Sequence, residues 1–268
     1  MARVEETQRE LNIQTASAWA DYADHRQRVT EFVGGYAHGL RLCVLGAGNC
    51  NDIDLSQLVP RFRHIVLVDI DAASTASAVA RQPAAIQRVT AIRAPVDFSG
   101  LGELSQIPSA PSRSIARRLA ESIDLEPFDF VVSPCVLSQL IGQVEKPHAN
   151  EAERYLSLVQ AVREVHLLLL LQLLRVGGLG VLVSDMVSTD TAPVLTSTSP
   201  QDLPALMVKL VEERNFFSGV NPFVIEDLLK RNASLTPLIA RTAFHSPWLW
   251  RLNSARSYLT FAMSFQRR

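Results

Sequence analysis

Apolar residues recur along the chain in two rhythms. Short solid runs at Leu40 to Leu45, His64 to Val68, Val89 to Ala94, Phe128 to Ser133 and Leu179 to Ser184 stop at a glycine, aspartate or proline. Such runs predict strands buried on both faces. Between them, spacings of three and four predict helices over Ala72 to Arg81, Ser112 to Ser122 and Glu151 to Arg175, with a loop and a short helix around Ile53 to Val59. Gly177-Gly178 is expected to cap the long helix. Strand and helix alternate five times, the order that parallel strands with crossover connections require.

The ends of the chain break this alternation. Thr15 to Val33 carries Trp19, Tyr22, Arg26 and Val29 to Phe32 at helical spacing and is expected to form one amphipathic helix, ended by Gly34 and Gly35, that covers a site. Ser188 to Pro204 is rich in Ser, Thr and Pro and precedes a helix over Leu203 to Arg214, a candidate lid over the strand ends. Asn221-Pro222 opens another helix running to Lys230. Leu235 to Phe244 and Ser257 to Phe265 follow with no helix between them, which predicts an antiparallel pair at the sheet edge.

Composition narrows the function classes. With 268 residues, 47% of them hydrophobic and 20% charged, the chain is globular rather than disordered or fibrous. Its 26 basic and 27 acidic residues leave a formal charge of −1, so no positive field exists to hold a phosphate backbone, and no strong nucleic-acid signal is present. Cys43, Cys50 and Cys135 have no C-x-x-C spacing, which argues against a disulfide framework or a thiolate zinc site. Met1 to Leu11 lacks the apolar centre of a signal peptide, and a cytoplasmic location is expected. Val165 to Val183 is interrupted by Gln172, Arg175 and Gly177-Gly178, so a buried helix, a turn and a buried strand are expected in place of a membrane span.

In a doubly wound sheet, ligands sit at the carboxyl ends of the strands. The first strand runs into Gly46-Ala47-Gly48-Asn49-Cys50-Asn51, a turn that lets a ligand approach the backbone. The second ends in Asp69-Ile70-Asp71, about twenty residues on, where a carboxylate can accept hydrogen bonds from a ribose diol. A nicotinamide dinucleotide fingerprint needs a third glycine where Asn51 stands. S-adenosylmethionine carries no pyrophosphate and does not need it.

With these motifs the sequence resembles the class I S-adenosylmethionine-dependent methyltransferases, from about Leu40 to the C-terminus. The resemblance is carried by Val44 to Asn51, Val66 to Asp71, Phe128 to Ser133, and the leucine-rich helix, Gly-Gly and strand of Leu173 to Val183. It implies an α/β, doubly wound, mostly parallel seven-stranded sheet with an antiparallel terminal strand and helices on both faces. The chain would divide into an N-terminal helical extension over 1–39 and a Rossmann-like domain over 40–268 with an insertion near 188–220. By the same resemblance Gly46, Ala47, Gly48 and Asn49 line the methionine and ribose side. Asp69 takes the ribose hydroxyls beside Ile70, with Asp71 as an alternative. Asp97 and Phe98 contact the adenine, and Ser133 and Cys135 border the reacting methyl group. Two departures stand out: Asn51 at the third glycine position, and Cys43, Val44 and Leu45 where an acidic residue often precedes the turn.

A methyl acceptor that is a hydroxyl or a protonated amine needs a base, whereas a carboxylate or thiolate does not. His25 and His148 are the candidates for that base, each competing with a reading as a surface histidine, and His166 is expected in the core. No histidine pair has metal-ligand spacing, so no metal is expected. The function expected is methyl transfer from S-adenosylmethionine to a small molecule or an exposed protein group. The alternatives are an NAD(P)-dependent oxidoreductase and a non-enzymatic binding protein that keeps the fold.

Overall fold

The computed structural model describes residues 2–36, 41–106, 111–144 and 151–268. Among these, seven strands form one sheet: β1 (Arg41–Leu45), β2 (His64–Val68), β3 (Thr90–Arg93), β4 (Phe128–Pro134), β5 (Leu174–Ser188), β6 (Ile239–Arg251) and β7 (Ser257–Arg267). Their order is β3-β2-β1-β4-β5-β7-β6. The first five are parallel, and β7 runs antiparallel to both β5 and β6. Strand order reverses between β1 and β4, which marks the crevice where a doubly wound sheet binds ligands. This is the seven-stranded sheet implied by the methyltransferase resemblance.

Helices cover both faces because the central strands are apolar on both. Along β1, Leu42 and Val44 face one core while Cys43 and Leu45 face the other. The first core is closed by α2 (Ala23–Tyr36), α3 (Leu55–Leu58), α4 (Ala72–Ala80) and α5 (Ala84–Val89), through Val29, Val33, Leu58, Ala78 and Ile86. α1 (Ala2–Thr15) lies N-terminal to these helices. The other core is closed by α6 (Leu101–Gln106), α7 (Ser112–Ile123), α8 (Leu137–Gly142), α9 (Ala152–Leu173), α10 (Leu203–Glu212) and α11 (Pro222–Arg231). By length and composition α9 could cross a membrane, but it packs on α7, β4 and β5 and buries Leu167 to Leu171 completely. Each such leucine contributes about 2 kcal/mol of transfer free energy.

Several elements depart from the expectations. Of the helix expected over Thr15 to Val33, only the part from Ala23 onward is helical, as α2: Thr15 ends α1, residues 16–22 with Trp19 and Tyr22 are turns, and α2 continues through Gly34 and Gly35 to Tyr36. Gly177-Gly178 does not cap α9. That helix ends at Leu173, and both glycines lie inside β5 opposite an irregularity in β4. There a Cβ on Gly178 would stand 2.9–3.1 Å from three backbone carbonyl oxygens, so the strands approach only because the side chain is missing. β6 extends past Phe244 to Arg251, its register shifting between His245 and Trp248 around Pro247, which has no amide hydrogen for the ladder.

Candidate functional site

The glycine turn after β1 is locked to the end of β2. The Gly46 and Ala47 amides donate to Val68 O at 2.8 and 3.1 Å, and the Gly48 amide donates to Asp69 Oδ2 at 2.7 Å. Asp69 Oδ1 accepts from the Asp71 amide at 2.8 Å. Burial pushes the Asp69 carboxyl above the usual range, and these backbone donors pull the other way. Gly46 sits at φ +76°, where a Cβ would stand 2.1 Å from Val136 Cγ2, so the position admits only glycine. Asp71 caps α4 by accepting from the Ala73 and Ser74 amides, and also accepts from Asn12 Nδ2 at 3.0 Å. Burial alone would raise its pKa; the bonds from Ser74 and Asn12 hold it low instead. Asp71 is therefore committed to the framework, which leaves Asp69 facing the cavity.

That cavity has a volume of about 460 Å³ and lies over the carboxyl ends of the strands. Gly46, Ala47, Gly48, Asn49, Asp69, Ile70, Asp97, Phe98 and Cys135 all line it. The Asp97 carboxylate accepts from the Ser99 amide at 2.9 Å. Phe98 lines the cavity and belongs to the core at the same time. Cys135 follows β4 at φ +51°, a strained conformation for a residue with a side chain, and burial drives its thiol far above the ordinary range. It is a packing residue at the cavity wall rather than a nucleophile.

Ser133 is a correction to the expected site. It is fully buried away from the cavity, with its Oγ 2.8 Å from His166 Nε2. Alternation along β4 would put Ser133 and Cys135 on one face, and it is the positive-φ turn at Cys135 that carries this residue to the cavity and leaves Ser133 with Val131 on the other core. His166 is in the core as expected, but its Nδ1 has no partner among the described residues, and burial lowers its pKa to about 4. The segment over 188–220 supplies no residue to the cavity wall among the described residues, so it is not the lid there.

The roof comes from the N-terminal segment. Gln8, Leu11, Asn12, Thr15, Ala18, Asp21 and Tyr22 line the cavity from above. Asn49 Nδ2 donates to Asn12 O at 2.6 Å, and Asn51 Nδ2 donates to Thr15 O at 2.7 Å. The last carbonyls of a helix have no partner within it. Two carboxamides of the glycine turn donate to carbonyls of this last turn, beside the Ala18 amide that also reaches Thr15 O at 3.0 Å, and Asn51 does so from the position where a dinucleotide site would carry glycine. Arg26 continues the attachment, donating to Trp19 O at 2.7 Å and to Asn51 O at 3.2 Å, and lying over the Trp19 ring.

His25 is not a surface histidine. It is 1% exposed and stands behind the cavity wall, stacked on Trp250 with ring centroids 4.7 Å apart. Trp248 Nε1 donates to its Nδ1 at 3.1 Å, which places the ring's own hydrogen on Nε2, 3.1 Å from Asp52 Oδ1 and 3.9 Å from Cys135 Sγ. His148 lies outside the described residues.

Sequence reasoning missed the far end of the cavity. Asp185 on β5, Ser138 on α8, Trp250 on β6 and Tyr258 on β7 line it beside Tyr22, Asp52 and Arg256. Asp185 is 6% exposed and accepts from Ser138 Oγ at 2.6 Å. Burial raises its pKa to about 6. A register shift just after it sends Met186 and Val187 into the same core and leaves Asp185 on the face shared with Val181 and Val183. The polar pair Ser184-Asp185 inside a buried apolar run was the available signal.

A seven-stranded, doubly wound sheet with β7 reversed and an acidic β2 end facing the glycine turn is the arrangement that the class I S-adenosylmethionine methyltransferase resemblance implies. No protein-family model matches the chain, and no curated protein matches it in sequence. Solved structures do. An O-methyltransferase family protein from Burkholderia thailandensis is 12% identical at a TM-score of 0.49, over 97% of this chain and 59% of that one. The O-methyltransferase TomG from Streptomyces achromogenes, in complex with SAM, is 13% identical at a TM-score of 0.43, over 89% of this chain and 78% of that one. Human N-acetylserotonin methyltransferase in complex with SAM is 11% identical at a TM-score of 0.40, over 98% and 56%. The chain thus spans about three fifths of the length of the Burkholderia and human proteins.

Proposed function

We propose that the protein transfers a methyl group from S-adenosylmethionine to a small molecule held in the same cavity. The observation that carries this reading is the contact between the Gly48 amide and Asp69 on the cavity wall, with Asp97 and Phe98 beyond it. The donor set fits an adenosyl group: Asp69 has lone pairs left for the ribose hydroxyls, the Asp97 carboxylate for the adenine amino group, and Phe98 an apolar surface for the ring. A pyrophosphate fits poorly. The helix after the glycine turn is one turn long, and its N-terminus is occupied by Asp54, whose own carboxylate accepts from the Ser56 amide. This is the argument against the dinucleotide alternative.

Bound there, S-adenosylmethionine supplies an electrophilic methyl carbon on a sulfonium. The protein's part is to fix the acceptor in line and to exclude water, which can account for several kcal/mol of barrier reduction. α1 and the turns after it roof the cavity and favour an acceptor small enough to be enclosed. Calorimetric titration with S-adenosylhomocysteine and with NAD tests the reading; binding of NAD alone would defeat it. A labelled-methyl assay against cell extract separates an enzyme from a binding protein that keeps the cofactor pocket.

A further inference from the structure

We propose that the acceptor is an amine, held as its ammonium form against Asp185 and the rings of Tyr22, Trp250 and Tyr258, and that the Asp185 carboxylate takes the proton leaving the nitrogen. The proposal rests on the methyl-transfer reading above and assigns the half of the cavity that the nucleoside does not use.

Position comes first. The order of strand ends along the cavity is β3, β2, β1, β4, β5, β7. Neighbouring strands lie about 4.8 Å apart, so Asp185 on β5 stands three strands, or roughly 14 Å, from Asp69 on β2. The methyl-transfer reading puts the nucleoside at Asp69 and Asp97, and Asp185 lines the cavity further along the strand order, past β1 and β4.

Charge comes second. Among the described residues the cavity is lined by five aspartates, at positions 21, 52, 69, 97 and 185, and by one basic residue, Arg256. Arg256 is paired with Asp190 at 2.7 Å and hydrogen-bonded to the Tyr258 hydroxyl. Asp185 is more than nine-tenths buried and has a hydrogen bond from Ser138 but no paired cation among the described residues. A buried carboxylate without a counter-charge is costly, and a bound ammonium would supply the missing charge. The same excess of negative charge repels a carboxylate or thiolate acceptor.

The walls agree. Tyr22, Trp250 and Tyr258 all line the cavity as one packed cluster, with Tyr22 edge to face on Trp250 at 5.2 Å, Tyr258 at 5.1 Å from Trp250 and His25 stacked behind Trp250 at 4.7 Å. Ring faces attract cations, and do so more strongly where water is excluded. Proton transfer also separates the acceptor classes. An alkylammonium loses its proton near pH 10, within reach of a carboxylate whose basicity burial has raised. An alcohol is several powers of ten weaker as an acid and is beyond it.

The chemistry balances as follows. The ammonium R–NH3+ gives one proton to Asp185. The lone pair this frees forms the N–C bond as the bond from sulfur to the methyl carbon breaks with its electron pair remaining on sulfur. The product leaves as R–NH2CH3+, and Asp185 passes its proton to water, so one proton is released per methyl group.

Calorimetry on the full chain saturated with S-adenosylhomocysteine tests this with three matched probes: phenethylammonium, 2-phenylethanol and phenylacetate. The amine is expected to bind at least tenfold more tightly than the other two. Asp185→Asn, which retains an acceptor for Ser138, should abolish that preference and leave S-adenosylhomocysteine binding unchanged. Tyr258→Leu should weaken the amine several-fold and serves as the second variant if the first does not fold. Equal binding of the three probes, no binding of any, tighter binding of the alcohol or acid, or a preference that survives both variants would overturn the proposal. Loss of S-adenosylhomocysteine binding by the unmodified protein would instead sink the methyl-transfer reading, and this proposal with it.

Discussion

The amide of Gly48 and the carboxylate of Asp69, twenty-one positions apart, are joined by a 2.7 Å hydrogen bond across the ends of β1 and β2. The carboxylate that faces the cavity thus also shapes the turn beside it. Asp69→Ala should weaken S-adenosylhomocysteine by about 1–3 kcal/mol, read by titration calorimetry, and should lower stability at the same time. An unchanged affinity removes Asp69 from the site.

Gly46 has no room for a methyl group. Its positive φ, and the 2.1 Å that would separate an added Cβ from Val136 Cγ2, make Gly46→Ala both strained and overpacked. A loss of about 2–4 kcal/mol is expected in urea unfolding. At Gly48 the nearest obstacle is Asn12 Oδ1 at 2.9 Å, the tip of a side chain on α1. Gly48 also lies at φ +44°, so Gly48→Ala should both strain the turn and displace α1, the second visible as faster hydrogen exchange over residues 5–22.

Asn51 gives the most direct test of the roof. Asn51→Gly would restore a dinucleotide-like glycine and remove the bond to Thr15 O. About 1 kcal/mol of attachment should be lost. The expected signature is increased hydrogen exchange in α1 and the turns after it, with the core strands unchanged. Uniform destabilisation of the whole chain would show that the bond is not a local latch.

Asp185 and His166 give opposite responses to acid. Asp185 has its pKa raised to about 6, so the folded protein takes up a proton that the unfolded chain does not. Its unfavourable contribution is present in full above pH 6 and fades as pH falls toward 3.8. His166, lowered to about 4, contributes stability that is complete above pH 6.5 and is lost as pH falls through 4. Each effect is worth about 3 kcal/mol. Asp185→Asn should therefore be more stable than the parent at pH 7.5 by about 1–3 kcal/mol, with the advantage gone near pH 4. Denaturant midpoints measured across pH check this. Methyl transfer should fall below about pH 6 as Asp185 takes up a proton among Ser138, Tyr22, His25, Asp52 and Tyr258.

The sheet was legible because its strands are buried on both faces and leave solid apolar runs, such as His64 to Val68. The glycine turn and the acidic end of β2 were legible because both stand directly after solid apolar runs, about twenty residues apart. α1 was not, since it is held by Asn12, Thr15, Asn49 and Asn51 through polar bonds, and a hydrophobic period carries no trace of such contacts. Trp250 was hidden because β6 passes through Pro247, which reads as an end to a strand. Asp185 was visible only as the place where a strand stopped; its burial and its orientation depend on the bulge after it and on β7, both set by distant parts of the chain.

The amides of Asn49 and Asn51 tie the first helix to the turn over which an adenosyl group would lie. Under the methyl-transfer proposal, departure of a spent nucleoside would require the N-terminal arm to lift, and the residence time of that product would then depend on two side-chain amides that anchor the arm to the turn.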